Sequence, residues 1–359
     1  MVDENTSIVK QGSLAGGFIP MKEEMTHDIL AQYYGITGNL RRFETEKDDT
    51  FQVTTNDNNK YVLKIANPDE DFDEIDFQHG ILKHVEYRDP SLPVPRVIKN
   101  TYGNDTDQVT DIDGSKRYVR MFTFIEGTPL CETQSTPKER VEIGKMLAQL
   151  RYATEGFNNH PGENRVYGWD VQHLLTLKHL LHEVDDKEQR AMLALGLERF
   201  EQVEPTLRQC RQQVLHNDFS KSNIVVDHNC PKFVKGIIDF GDSVKTAIAV
   251  DVATALLNQL PETPRDDLFF HGRDIMEGYL SIAELTDDEL TLIPHLVMAR
   301  VVTRALLTLW RVKLFPENER YIMRNTEQGW HQLSWFLKRT PEQVSKILMQ
   351  FSTSKGSTT

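Results

Sequence analysis

Hydrophobic and polar positions along the chain follow two regimes. Between residues 39 and 65 the period is two: runs at 39–44, 50–54 and 60–65 alternate, with Asn56-Asp57-Asn58-Asn59 turning the last two onto each other. This predicts an antiparallel meander. A helix over 27–34, capped by Thr26 and stopped by Gly35, precedes it, and residues up to about Glu24 read as an extension or loose arm. Residues 69–85 form a helical pattern entered at Pro68, with Phe72, Ile75, Ile81, Leu82 and Val85 as apolar positions. A strand-like run at 117–125 closes this part and ends in Glu126-Gly127-Thr128-Pro129. Beyond it the pattern turns helical, at 137–154, 171–184, 187–210, 250–259, 266–283, 287–314, 317–337 and 341–351. Residues 157–170, rich in Gly, Asn and aromatics, read as a loop, and the Ser/Thr/Gly tail from Ser352 as disordered.

One block interrupts the helical part. Two Ile/Val-rich runs, 224–226 and 234–238, flank Asp227-His228-Asn229-Cys230-Pro231-Lys232, the pattern of a hairpin of buried strands. Polar groups sit at its edges: Asp218 and Asn223 before the first strand, Asp239-Phe240-Gly241 after the second. Phosphoryl transfer needs a carboxylate to orient and deprotonate the acceptor hydroxyl. It also needs an amide oxygen and a second carboxylate for a Mg²⁺ that bridges the phosphates. A base and an amide five residues apart, then Asp-Phe-Gly beyond a hairpin, is the kinase order of parts, and Asp218, Asn223 and Asp239 keep it. The competing reading is an ordinary hairpin whose Asp and Asn cap turns. Lys64 ends the run Tyr61-Val62-Leu63-Lys64-Ile65, where a strand lysine would meet the α and β phosphates.

The stretch His216-Asn217-Asp218, Asn223 and Asp239-Phe240-Gly241 resembles the aminoglycoside phosphotransferase and choline kinase-like family. Within it, the hydroxylysine kinases and the kinase domains fused to class III aminotransferases are most similar. The family usually has Gly where this chain has Asn217, a residue that tolerates left-handed backbone angles. Asp251-Val252-Ala253 matches the family's following helix start, and the similarity touches nearly the whole chain. It implies an α+β, bilobal protein-kinase-like fold: a small antiparallel-sheet N-lobe with one key helix, and a larger, mainly helical C-lobe. Arm and N-lobe would span residues 1–126, the C-lobe 127–351 and the tail 352–359.

The resemblance also implies roles. Asp218 would be the catalytic base, Asn223 and Asp239 the Mg²⁺ ligands, and His216 a brace for the loop. Lys64, Thr50, Phe124 and Glu126 would bind the nucleotide, Thr50 in the loop over the phosphates and Phe124 and Glu126 at the hinge. Among Glu74, Asp76 and Gln78, Asp76 is the expected acidic partner of Lys64. Asp242 could add charge near the metal or cap a turn, and the turn cap is the expectation. The donor is ATP or GTP: hydroxylysine kinase-like chains imply GTP, while no residue here reads purine identity. The expected acceptor is a hydroxyl-bearing amine or hydroxyamino acid, hydroxylysine-like, with choline, ethanolamine, homoserine and aminoglycosides open. Arg304, with Trp310 nearby, is the choice for an acceptor carboxylate, although arginines at 300, 304 and 311 could simply cover a helix. No activation segment ending in Ala-Pro-Glu follows Asp-Phe-Gly, which argues against a protein kinase. A catalytically silent nucleotide-binding module is the alternative of another class.

Composition adds bounds. The 359 residues carry a formal net charge of −13, which disfavours nucleic acid or an anionic membrane as partner and suits a cationic or zwitterionic ligand. Cys131, Cys210 and Cys230 are scattered, without Cys-x-x-Cys spacing, as in a reduced compartment. No run approaches about 18 apolar residues and Leu14–Pro20 lacks a signal-peptide core, so a cytoplasmic protein is expected. The oligomeric state is not legible.

Overall fold

In a computed structural model of the chain, residues 19–45, 48–261, 263 and 265–352 are described. The start of the expected arm, Glu46 and Lys47 of the predicted phosphate-covering loop, and residues 353–359 of the expected tail lie outside them.

The chain builds an antiparallel-sheet N-lobe and a helical C-lobe. Helix α1 (Glu23–Ile29), continued as a wider turn through Tyr34, leads into strands β1 (Gly38–Arg42), β2 (Asp49–Thr55) and β3 (Lys60–Ile65). Helix α2 (Phe72–Arg88) follows, then β4 (Val97–Ile98), β5 (Thr106–Thr110) and β6 (Lys116–Thr123). The sheet order is β1-β2-β3-β6-β4, with β5 also on β6. The arm does not hang loose up to Glu24: Met21 is buried and its amide donates to Asp49 Oδ2 at 2.7 Å. Strand β5 went unpredicted because its polar sequence shows no alternation.

The two faces of the sheet are used differently. Phe51, Val53, Leu63, Ile65, Val119 and Met121 form a small core with Ile29 and Leu30 of the α1 segment. On α2, Phe77, Ile81, Leu82 and Val85 belong instead to the large core that runs through the C-lobe. Helix α2 begins three residues later than its pattern, capped by Asp71, which accepts from the Asp73 amide.

After β7 (Thr128–Pro129), the C-lobe opens with α3 (Pro137–Thr154), started by a capping box of Thr136 and Glu139. The run over 171–184 is a 3-10 helix (Val171–Glu183), and α4 (Lys187–Leu207) follows it. Next come β8 (Gln212–Leu215), β9 (Ile224–Val226), β10 (Val234–Ile237) and β11 (Val244–Ala247). Strands β9 and β10 are the predicted hairpin, with β7 on its edge; β8 and β11 make a second, unpredicted pair around it. Helices α5 (Ile248–Leu257), α6 (Phe270–Leu280), α7 (Asp287–Leu314), α8 (Glu319–Met323), α9 (Thr326–Leu337) and α10 (Pro341–Ser345) complete the lobe. Gly144 and Gly278 let α3 and α6 touch backbone to backbone: a Cβ on either would lie about 2 Å from a carbonyl oxygen of the other helix.

Helix α7 corrects one expectation. Its 28 residues include a window long and apolar enough to cross a membrane, but 89% of that window is buried inside the protein, as befits a core helix. Of the expected tail, Ser352 is described, and it donates to Asp287 Oδ1 at 2.6 Å.

Candidate active site

The loop between β8 and β9 carries the first set of polar groups. Asn217 sits at φ 60°, the left-handed region that Asn tolerates and Gly would also satisfy. Its amide donates to Asp251 Oδ1 at 2.7 Å and its Nδ2 to the Asp242 carbonyl at 3.3 Å. His216 is buried, shares 3.0 Å with the Ile238 carbonyl through Nε2, and accepts the Asp218 amide on Nδ1 at 3.3 Å. Those partners assign the proton to Nε2. Burial depresses its pKa to about 4, so the ring braces the loop as a neutral group.

This frame presents Asp218 to Asn223. The Asn223 Nδ2 donates to Asp218 Oδ2 at 2.7 Å and to its carbonyl at 3.0 Å, which leaves the Asn223 amide oxygen as an acceptor. Burial and the neighbouring Asp242 carboxylate push the Asp218 pKa up to about 7. Asp239, at φ 62° just past β10, is exposed and behaves oppositely. Lys64 Nζ lies 3.5 Å from its Oδ1 and is the main cause that holds its pKa below the ordinary carboxylate value. Two carboxylates with environments that push them apart can divide the labour of base and charge-holder.

Surrounding residues fix this geometry. Asp242 is no turn cap: its carboxylate accepts from Tyr167 OH at 2.5 Å. Arg165 reaches the Gly241 carbonyl at 2.6 Å and Glu74 Oε2 at 3.4 Å. Arg300, buried on α7, lies over the Trp169 ring at 5.5 Å and donates to the Asn217 carbonyl at 3.4 Å. Burial raises the Asp251 pKa to about 6, while the Asn217 amide and Arg300 counter that rise.

Other expected residues fall as follows. Thr50 stands opposite Lys64 in the β2–β3 register. Phe124 receives Lys60 over its ring at 5.7 Å, and the Glu126 carboxylate pairs with Lys60 at 2.7 Å on the surface. Asp76 does not meet Lys64; it projects outward and pairs with His160 at 3.2 Å. The reason is the frame of α2, which turns Gln78 inward and leaves Asp76 on the solvent side. The second carboxylate near Lys64 comes from Asp48, at 3.8 Å. Arg304 donates to Gln332 of α9 at 3.0 Å, and burial and Arg300 lower its pKa to about 10. Trp310 packs against the C-lobe core. Asp48, Arg120, Arg165, Tyr167 and Arg300 were not singled out by sequence reasoning as parts of the catalytic or phosphate site. An arginine at position 120, inside the apolar run of a central strand, was the one available signal.

Among the described residues no group of three or more His, Cys, Asp or Glu is arranged for a metal. An all-protein cage is therefore missing there. The Asn223 amide oxygen and the Asp239 carboxylate are hard oxygen donors, the kind that hold Mg²⁺ when phosphates and water complete its shell.

The chain is 28% identical over 336 residues to a hydroxylysine kinase of Mus musculus, covering 86% of this chain and 87% of that protein. It is 24% identical over 294 residues to a homoserine kinase of Agrobacterium fabrum, covering 78% and 82%. Among solved structures, a microcompartment-associated aminopropanol kinase superposes with a TM-score of 0.70 at 19% identity, covering 88% of this chain and 98% of that one. Residues 40–285, more than half of the chain and inclusive of Lys64, Asp218, Asn223 and Asp239, match the phosphotransferase enzyme family, and the chain belongs to it.

Proposed function

We propose that the chain transfers the γ-phosphate of ATP or GTP to the hydroxyl of a small hydroxyamino acid of the hydroxylysine or homoserine type. The observation that carries this is the opposed pair Asp218 and Asp239, one held by Asn223 with its pKa raised to about 7, the other charged beside Lys64. Asp218 orients the acceptor hydroxyl and takes its proton. Asn223, through the oxygen left over from its bond to Asp218, and Asp239 hold Mg²⁺. When bound, the cation neutralises charge on the transferring phosphoryl group. Lys64 grips the α and β phosphates, and Asn217 and His216 keep Asp218 in place.

The acceptor class rests on the relatives and on α7. Arg300 and Arg304 stand one turn apart, and the second is made more acidic by burial and by the first. Two guanidiniums on a largely buried face favour an anion beside them, as the carboxylate of an amino acid would be. Steady-state assays of nucleotide consumption with hydroxylysine, homoserine, ethanolamine and an aminoglycoside, with each donor, test the reading. Turnover is expected with the two hydroxyamino acids. Arg304→Ala is expected to raise their KM far more than that of an amino alcohol. Metal-dependent nucleotide binding without turnover on any acceptor would leave a silent nucleotide-binding module, and activity on neutral sugars alone would exclude the amino-acid acceptor.

A further inference from the structure

Lys64 has two carboxylates within ion-pair reach among the described residues, and neither comes from α2: Asp239 at 3.5 Å and Asp48 at 3.8 Å. On α2, Asp76 is engaged by His160 and Glu74 by Arg165. In the proposed reaction Asp239 belongs to the cation. Asp48 is then the carboxylate left to Lys64.

Asp48 is held for that task. It lies in the turn before β2, 6% exposed, with Oδ2 2.6 Å from Nη2 of Arg120. Thr45 and Thr50 both donate to its carbonyl, so Asp48 itself is held from both sides. Arg120 on β6 is 1% exposed. Thr50, Lys64 and Arg120 stand directly opposite one another on β2, β3 and β6, so the three side chains leave the same face of the sheet. Asp48 Oδ2 reaches two members of that row, Arg120 and Lys64. The Nε and Nη1 of Arg120 have no hydrogen-bond partner among the described residues. Burying a guanidinium with so few bonds adds little to stability, so its use must lie in what it holds.

We infer that Asp48, anchored by Arg120, is the positioning residue for the phosphate-binding Lys64, the part that a helix-borne glutamate plays in protein kinases. The inference rests on the proposed nucleotide role of Lys64. Arg120 fixes the carboxylate, and the carboxylate fixes the direction in which the ammonium points.

Calorimetric titration of the full chain with Mg-ATP and with Mg-GTP tests this without recourse to turnover. Asp48→Asn is expected to weaken binding of the preferred nucleotide about tenfold, the worth of one charge-assisted contact, with acceptor KM unchanged. In a Lys64→Met background the same substitution is expected to change nothing further, since it acts through the lysine. Arg120→Lys keeps the charge but not the fork, and serves if Asp48→Asn does not fold: a smaller loss of nucleotide affinity is expected, again erased by Lys64→Met. Unchanged or tighter binding in the folded variants, or losses that add to that of Lys64→Met, would overturn the inference. Loss of affinity on this pattern, in a chain that phosphorylates no acceptor, would sink the proposed reaction and leave the role of Asp48 standing.

Discussion

The two halves of the site are built on different scales. In the C-lobe the proposed base and its supports occupy one short segment: Asp218 is held by Asn223 five residues on, and His216 meets Ile238 across the hairpin. In the N-lobe the grip on Lys64 is assembled from a turn and two strands, and the Asp48–Arg120 bond spans 72 residues of sequence. A local segment keeps its geometry as long as its hairpin forms. The assembled grip depends on the register of the whole sheet, because a one-residue slip sends Lys64 or Arg120 to the opposite face.

The largest effect should come from separating the two carboxylates of the C-lobe segment. Asp218→Ala is expected to reduce kcat by roughly 10²–10⁴-fold, the usual worth of a general base, while binding Mg-nucleotide nearly as the parent does. Asp239→Ala is expected to lose turnover and Mg-nucleotide binding together. Calorimetry beside kinetics reads the difference, and equal loss of binding in both variants would contradict their separate roles.

A second effect contrasts the lobes by pH. His79 of α2 is buried beside Arg120, with Thr106 Oγ1 3.2 Å from its Nδ1. Burial first, then Arg120, depresses its pKa from 6.5 to about 3. The folded chain therefore refuses a proton that the unfolded chain accepts. Stability is full above pH 6.5 and falls as pH drops toward 3, by about 1.4 kcal/mol per pH unit for one such group. His79→Gln removes this slope. Relative to the parent, it is expected to gain roughly 2 kcal/mol between pH 7.5 and 5.0 in urea unfolding. An unchanged difference between variant and parent at the two pH values would mean that His79 is accessible in the folded state.

The same difference in scale explains what was legible in the residues alone. The order His216, Asp218, Asn223, Asp239 was readable because hairpin and motif lie in one stretch, and Asn217 announced its left-handed backbone by its identity. The meander and the long helices followed from periodicity, and the two lobes from the family resemblance. The partner of Lys64 was not readable. Glu74, Asp76 and Gln78 compete: the family pattern favours Asp76 while the apolar frame favours Gln78, and the packing of α2 on the C-lobe core turns Gln78 inward with Ile75, Ile81 and Leu82 and leaves Asp76 out. Asp48 lies in a turn with no periodicity at all, and the pairing of β8 with β11 closes across 29 to 35 residues between β strands too short to signal themselves.

Substitution at Asn217 gives a smaller effect that tests the local segment from within. At φ 60°, Gly is at home and a β-branched residue is not. Asn217→Gly gives up one long hydrogen bond to the Asp242 carbonyl and is expected to stay close to the parent in stability and kcat. Asn217→Val is expected to cost about 1–2 kcal/mol from left-handed strain, seen in urea unfolding, with kcat lowered because Asp218 follows its neighbour. Equal behaviour of the two variants would show that the loop can adopt another backbone path.

The smallest expected effect bears most directly on the comparison between the lobes. Asp76 was the acid that the kinase pattern favours for Lys64, yet it faces solvent and pairs with His160 at 3.2 Å. An exposed pair of this kind contributes at most about 1 kcal/mol, and less in salt. Asp76→Ala is therefore expected to change nucleotide affinity by less than twofold and melting temperature only slightly, with both changes shrinking further in high salt. Lys64→Ala, by contrast, should weaken nucleotide binding and turnover together. If Asp76→Ala reproduced the Lys64→Ala loss, α2 would have to turn so that Asp76 reaches the lysine once nucleotide binds. The N-lobe would then carry the helix-borne pair of a protein kinase, and Asp48 would be left as a neighbour of Arg120 alone.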